Sequence, residues 1–148
     1  MAFNFPLQAI FHYRQSVEHQ QELRLRAANQ QVARVRHLLD QLDLRRAKMR
    51  VNQSQHLENG MTSAELRFGL LAETALREQH EQVVSELKRL QNLRDQQHRI
   101  FQHARREREI FESLRDRQFR EYKRDASRRE QRQLDNLFLL RRDYLRRS

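Results

Sequence analysis

Cysteine and tryptophan are absent from this chain, and its 148 residues hold one proline and two glycines. Without cysteine there are no disulfides and no thiolate metal sites. So few breakers exclude a fold assembled from many short elements and turns. Long apolar runs are missing too. The longest, Leu137-Phe138-Leu139-Leu140, falls far short of the roughly 20 residues that span a bilayer. The opening Met1-Ala2-Phe3-Asn4-Phe5 has no basic region leading into an apolar stretch, so no secretory signal is expected and the chain reads as cytoplasmic.

What is present is charge and periodicity. Charged residues make up 34% of the chain and apolar residues 37%, with a net charge of +10. Low hydrophobicity with high charge is a signature of disorder, but regular apolar spacing argues for helices instead. Arginine supplies 27 of the 30 basic residues, and 20 acids are interleaved with them. Glu22 and Arg26, Glu73 and Arg77, Asp95 and Arg99, Asp116 and Arg120, and Asp125 and Arg129 are each four apart. That order is the favourable one for pairs on a helix surface, about 0.2–0.5 kcal/mol each. Most of the charge therefore reads as a solvated helix exterior.

The spacing predicts an all-α chain: two long helices in an antiparallel coiled-coil hairpin, the second longer and overhanging. It forms a single domain over 1–148, with helix one at about 5–58, the hairpin at about 59–62 and helix two at about 63–146. Pro6 suits a first helical turn, where its missing N–H costs nothing. Leu7, Ile10, Arg14 and Val17 open a heptad pattern, and Leu25, Ala28, Val32, Val35, Leu39, Leu42 and Met49 continue it. Between Val17 and Leu25 the phase slips through Gln21, which reads as a four-residue stutter. Asn59-Gly60 ends helix one, because both residues accept the left-handed conformation found there. Thr62 stands three residues before Glu65, the spacing of a capping box. Helix two carries Leu76, Val83, Leu87, Leu90, Phe101, Ala104 and Phe111, with Arg94, Gln97 and Arg108 in intervening core slots. Long arginine stems can cover such a seam while their heads stay wet. Gly69 costs about 1 kcal/mol of helix stability relative to alanine. Folding at Asn59-Gly60 sets Leu42 opposite Leu76 to Gln79, Val32 near Leu87 and Ile10 near Ile110. Helix two then outruns helix one by about thirty residues, roughly 50 Å if helical.

Two apolar surfaces lack a partner in this arrangement. Leu134, Leu137, Phe138, Tyr144 and Leu145 recur at helical spacing in the overhang, with Phe119 and Tyr122 upstream, and nothing in helix one reaches them. Such a stripe needs cover: a docked protein, another tail, or nothing at all at a fraying terminus. Just past the hairpin, Phe68, Leu71 and Ala75 fall opposite the register set by Val83, Leu87 and Leu90, flanked by Leu70 and Ala72. Either they form an outward patch or the register shifts there and they are core, since a short segment does not fix its own phase.

Catalytic signatures are missing. His98 and His103 are five apart and His12 and His19 seven apart, and neither spacing matches the i, i+4 metal pair. There is no glycine-rich phosphate loop, nucleophile elbow or paired metal carboxylate. A two-helix rod offers no water-limited pocket. The chain therefore reads as a non-enzyme with no cofactor, no metal and no small-molecule substrate.

The order of several short elements carries a resemblance. These are the hairpin Asn59-Gly60-Met61; Arg105-Arg106-Glu107-Arg108-Glu109; Leu114-Arg115-Asp116-Arg117-Gln118; and Arg129-Glu130-Gln131-Arg132-Gln133-Leu134-Asp135. With the opening Phe3-x-Phe5-x-Leu7 and Tyr13-Arg14, they make nearly the whole chain resemble the FliJ family of flagellar export proteins. The resemblance implies a non-catalytic stalk and coupling protein of the flagellar type III export apparatus. It would sit in the bacterial cytoplasm, peripherally at the inner membrane of the flagellar base. Its implied partners are the hexameric export ATPase and the cytoplasmic part of the FlhA export gate, with export chaperones and a chaperone-escort role in addition. On this basis Phe68, Leu71, Ala72, Leu76 and Val83 are the gate candidates. Family members often carry an aromatic where this chain has Ala72, and Leu76 and Val83 also belong to the core stripe. The ATPase-ring candidates are Arg115, Arg117, Phe119, Tyr122, Arg124, Arg128, Leu134, Leu137 and Phe138. Alternatives are the equivalent stalk of a virulence secretion system, or a basic coiled coil that binds nucleic acid through Arg45-Arg46-Ala47-Lys48-Met49-Arg50. Against the latter, a basic zipper needs a long acid-free basic region ahead of a parallel dimer.

Overall fold

The structure is a computed structural model that describes residues 2–148. Two helices account for nearly all of it: α1, Gln8–Asn59, and α2, Ser63–Arg147. They pack together as an antiparallel hairpin, and no strand occurs among the described residues. At 52 and 85 residues, their lengths are as unequal as the position of the turn requires.

The connection is built from local chemistry. Gly60 has φ +89°, a conformation glycine adopts without a Cβ penalty. The Glu65 N–H donates to Thr62 Oγ1 at 3.2 Å, and the Thr62 N–H donates to Glu65 Oε2 at 3.4 Å. These reciprocal bonds form the expected capping box and satisfy donors that would otherwise be orphaned at the start of α2.

The other end of α1 departs from expectation. The helix starts at Gln8, and Pro6 lies in a turn ahead of it. The Gln8 N–H closes onto the Phe5 carbonyl at 3.1 Å. That tight turn carries Phe5 inward, where it is 4% exposed.

The chain divides into two compact units. The unit His19–Gln102 contains the turn. Its seam draws on α1 at Gln21, Leu25, Ala28, Val32, Val35, Leu39, Leu42, Arg46, Met49 and Gln53, all buried or half-buried. From α2 it draws Gly69, Leu76, His80, Val83, Leu87, Leu90, Arg94, Gln97 and Phe101. Both lists alternate by threes and fours, apart from one seven-residue step between Gly69 and Leu76 filled by half-buried Glu73. Leu42, 1% exposed, is the most deeply buried side chain among the described residues. Polar seam residues find one another: Gln97 Nε2 donates to the Gln21 carbonyl at 3.2 Å and to Gln21 Oε1 at 2.8 Å. His80 Nε2 lies 3.0 Å from Asp43 Oδ1. These pairings keep the register within about one turn of the expected one. Gly69 lies where a Cβ would stand 3.2 Å from Gln53 Nε2, so its lack of a side chain serves helix–helix approach.

The second unit joins the residues up to Glu18 with His103–Ser148. Here the expected register fails in one respect. Ile10 and Ile110 do not face each other across the seam; they are 43% and 60% exposed, while Phe11 is 2% exposed. The α1 seam runs Phe11, Arg14, Glu18 and then Gln21 and Leu25, alternating threes and fours without a stutter. Packing of Phe11 and an ion pair act together here. Arg108 Nε donates to Glu18 Oε2 at 2.6 Å, and Arg108 also binds Glu112, so a carboxylate is drawn into the seam beside half-buried Val17. The hydrogen bond that Arg108 donates to Glu18 raises the Arg108 pKa above its ordinary value, against the opposing effect of desolvation.

Candidate functional surfaces

The gate candidates split by exposure. Phe68 and Leu71 are 76% and 70% exposed, with Leu70 and Ala75 also open to solvent. Ala72, Leu76 and Val83 are half-buried along the seam. The helix period explains the division: once Gly69 and Leu76 face α1, residues one before or two after Gly69 turn away. Phe68 and Ala72 share the wall of a shallow groove of about 420 Å³ with Met49, Gln53 and Met61. Leu70 and Leu71, with Arg67 and Thr74, border a second shallow depression of about 360 Å³. Thr74 turns its hydroxyl back onto the Leu70 carbonyl at 2.9 Å, which leaves its methyl group for that surface.

The ring candidates also divide. Phe119 and Tyr122 are not part of a bare overhang, because the segment before α1 reaches them. The Phe3 ring meets Phe119 edge-on at 5.2 Å and Tyr122 at 5.5 Å. The Arg115 guanidinium lies 5.5 Å from the centre of the Phe11 ring, within cation–π range. The signal for this cluster was present in the sequence as Phe3, Phe5 and Phe11 around a proline. Helical spacing does not reveal it, because Phe3 precedes the helix and follows no helical period. Arg117 lies 3.6 Å from Glu121 on the helix exterior, and Arg124 and Arg128 are exposed.

Beyond Ala126 every residue is exposed. Leu134, Leu137 and Phe138 form one face with Tyr144 and Leu145, each more than half open to solvent. That face is not the seam prolonged. Carrying the heptad past Gln118 and Tyr122 lands on Asp125, Arg129, Arg132, Asn136, Asp143 and Arg146, with Leu139 the one apolar residue in that series. Cover along α2 therefore ends at Ala126, and a differently phased stripe begins at Leu134.

No group of three or more histidines and carboxylates is placed to hold a metal ion among the described residues. Nor is any helix there long and apolar enough to cross a membrane. No curated protein and no solved structure matches the chain. A family model, described as the flagellar FliJ protein, matches residues 3–147. That span is nearly the whole chain and takes in both the capped turn and the re-phased tail, and on it the chain belongs to the FliJ family.

Proposed function

We propose that this FliJ-family chain is a non-catalytic coupling stalk of the flagellar type III export apparatus, joining the export ATPase ring to the FlhA gate. The family supplies the flagellar export setting and its non-enzymatic character. The observation that carries the finer reading is the exposed apolar face at Leu134, Leu137 and Phe138. A stripe of this kind marks an interaction site, and it lies at the opposite end of α2 from the second exposed patch at Phe68 and Leu71. One helix thus presents one docking face near each of its ends.

The tail, with Arg124 and Arg128 leading into it, engages the ATPase ring, and the patch near the turn engages the gate. Coupling needs no chemistry in the stalk. It requires only that the tail bind successive nucleotide states of the ring with different affinity, since a ligand shifts an equilibrium only through such a difference. Of the gate candidates, Phe68 and Leu71 are the ones free to touch a partner. Ala72 contributes through the groove it shares with Phe68, and Leu76 and Val83 act by holding the register. A chaperone-escort role fits the same exposed surfaces.

Mixing the chain with the cognate export ATPase tests the reading. Hexamer formation and ATP turnover should both rise, and no change in either overturns it. The doubly substituted variant Phe68→Asp, Leu71→Asp should keep that stimulation and lose capture of the cytoplasmic part of the gate.

A further inference from the structure

In the unit that joins the residues up to Glu18 with His103–Ser148, one flank of the hairpin is apolar and has no role in the reading above. Phe11, Arg14 and Glu18 turn into the seam, so Ile10 and Val17, each one residue earlier, line its edge, with Tyr13 between them and further out. On α2, Ala104 and Arg108 lie in the seam, and Glu107, Ile110 and Leu114 follow its edge in steps of three and four. Arg14 reaches Glu107 at 3.9 Å, which ties the two rows to the same side. The bonds from Arg108 to Glu18 and Glu112 mark the other side, which is charged. These pairings set Ile10 level with Leu114 and Tyr13 level with Ile110. Tyr13 is 63% exposed, Ile10 and Ile110 are also open to solvent, and Val17 and Leu114 are half-buried. An exposed apolar cluster that crosses both helices marks an interaction site.

We propose that this flank seats a second copy of the chain in an antiparallel two-fold pair. The proposal goes beyond the coupling reading and does not depend on it. Charge selects the occupant. A two-fold pair presents the same patch twice, so the patch must complement itself. Along α2 the apolar cluster is bordered at one end by His103 and Glu107, 3.9 Å apart, and at the other by Arg117 and Glu121, 3.6 Å apart. In a parallel pair each of these would meet its own copy, carboxylate on carboxylate and guanidinium on guanidinium. In an antiparallel pair centred between Ile110 and Leu114, Ile110 of each copy meets Leu114 of the other. The same centre sets Arg117 against Glu107 and Glu121 against His103. The flank is thus complementary to itself in one orientation and repelled by itself in the other, and such patterning fixes register and orientation. Its apolar part is small beside a standard interface of about 800 Å² per partner, so the pair is weak and reversible. Antiparallel pairing also sends the two tails in opposite directions, which leaves each tail face clear of the other.

Sedimentation equilibrium of the full-length chain tests this, with no ATPase present, so that its outcome is separate from that of the stimulation assay. The chain should show a reversible monomer–dimer equilibrium that raised salt weakens. The variant Tyr13→Glu, Ile110→Glu should weaken association at least about tenfold. Arg117→Glu, which opposes two carboxylates across the pair, should weaken it by about tenfold. Because the chain has no cysteine, single cysteines report the orientation. A mixture of the His103→Cys and Glu121→Cys variants should oxidise to a linked pair. Neither variant should link to itself, since like positions then lie roughly 27 Å apart along the helix, beyond the reach of a disulfide. Thermal melting of all these variants should stay close to the parent, because every substituted position is exposed. A chain that stays monomeric at high concentration, linkage between like cysteines, or association undiminished by the flank variants overturns the proposal. So does a flank that takes up a different protein and never a second copy.

Discussion

From Gly69 to Tyr122, α2 holds Arg94, Gln97 and Arg108 half-buried; from Leu134 to Leu145, the same helix leaves leucines, a phenylalanine and a tyrosine in solvent. Secondary structure is identical in the two stretches, and the more polar one is the more covered. Burial in this protein follows from what lies opposite, not from the hydrophobicity of the helix itself. A guanidinium is tolerated in the seam because Glu18 and Glu112 meet it. A leucine at the tail is exposed because no described residue of α1, or of the segment before it, covers it.

Substitutions can break this comparison or sharpen it. The largest effect belongs to the seam: Leu42→Ala removes the most buried side chain and should cost about 2–5 kcal/mol in chemical denaturation. If it costs no more than a tail leucine, the seam is not where the stability lies. Arg108→Ala comes next. It strands Glu18 in a half-buried slot and should cost about 1–2 kcal/mol, less than a fully buried pair because both side chains keep some solvent. A double-mutant cycle with Glu18→Ala should return a favourable coupling; zero coupling would mean that the slot is set by packing alone. Phe3→Ala loses the edge-on contact with Phe119 and should cost about 0.5–1.5 kcal/mol. The smallest effect should come from the tail itself, where Leu137→Ala changes stability by less than about 0.5 kcal/mol. A larger loss there would show that the stripe is covered in the isolated chain.

Particular residues show how far the sequence could be read. Asn59-Gly60, Thr62 and Glu65 announced the turn, because a left-handed glycine and a capping box are local devices whose partners lie within a few residues. The apolar positions from Leu25 to Met49, and from Leu76 to Phe111, announced the seam where apolar side chains occupy most of its slots. Between Ile10 and Val17 two apolar residues favour one phase, while Phe11, Arg14 and Glu18 adopt another. Helical spacing is also silent at Phe119 and Tyr122, whose partner Phe3 precedes the helix and follows no helical period. Of the candidate surfaces, the outward placement of Phe68 and Leu71 and the exposure of Leu134, Leu137 and Phe138 were legible. The half-burial of Ala72, Leu76 and Val83 was legible only as a conflict between two readings of the same helix.

The sequence by itself determined two helices, one capped turn and an unequal division of the chain, because breakers, caps and helical spacing act over a few residues and need nothing from elsewhere. Only the tertiary structure decided which phase of each helix became the seam and where α2 stopped being covered. Long charged side chains make several phases of a helix nearly equal in hydrophobicity. The choice then falls to contacts made across the hairpin, such as Arg108 with Glu18 and Phe3 with Phe119, which no stretch of one helix contains.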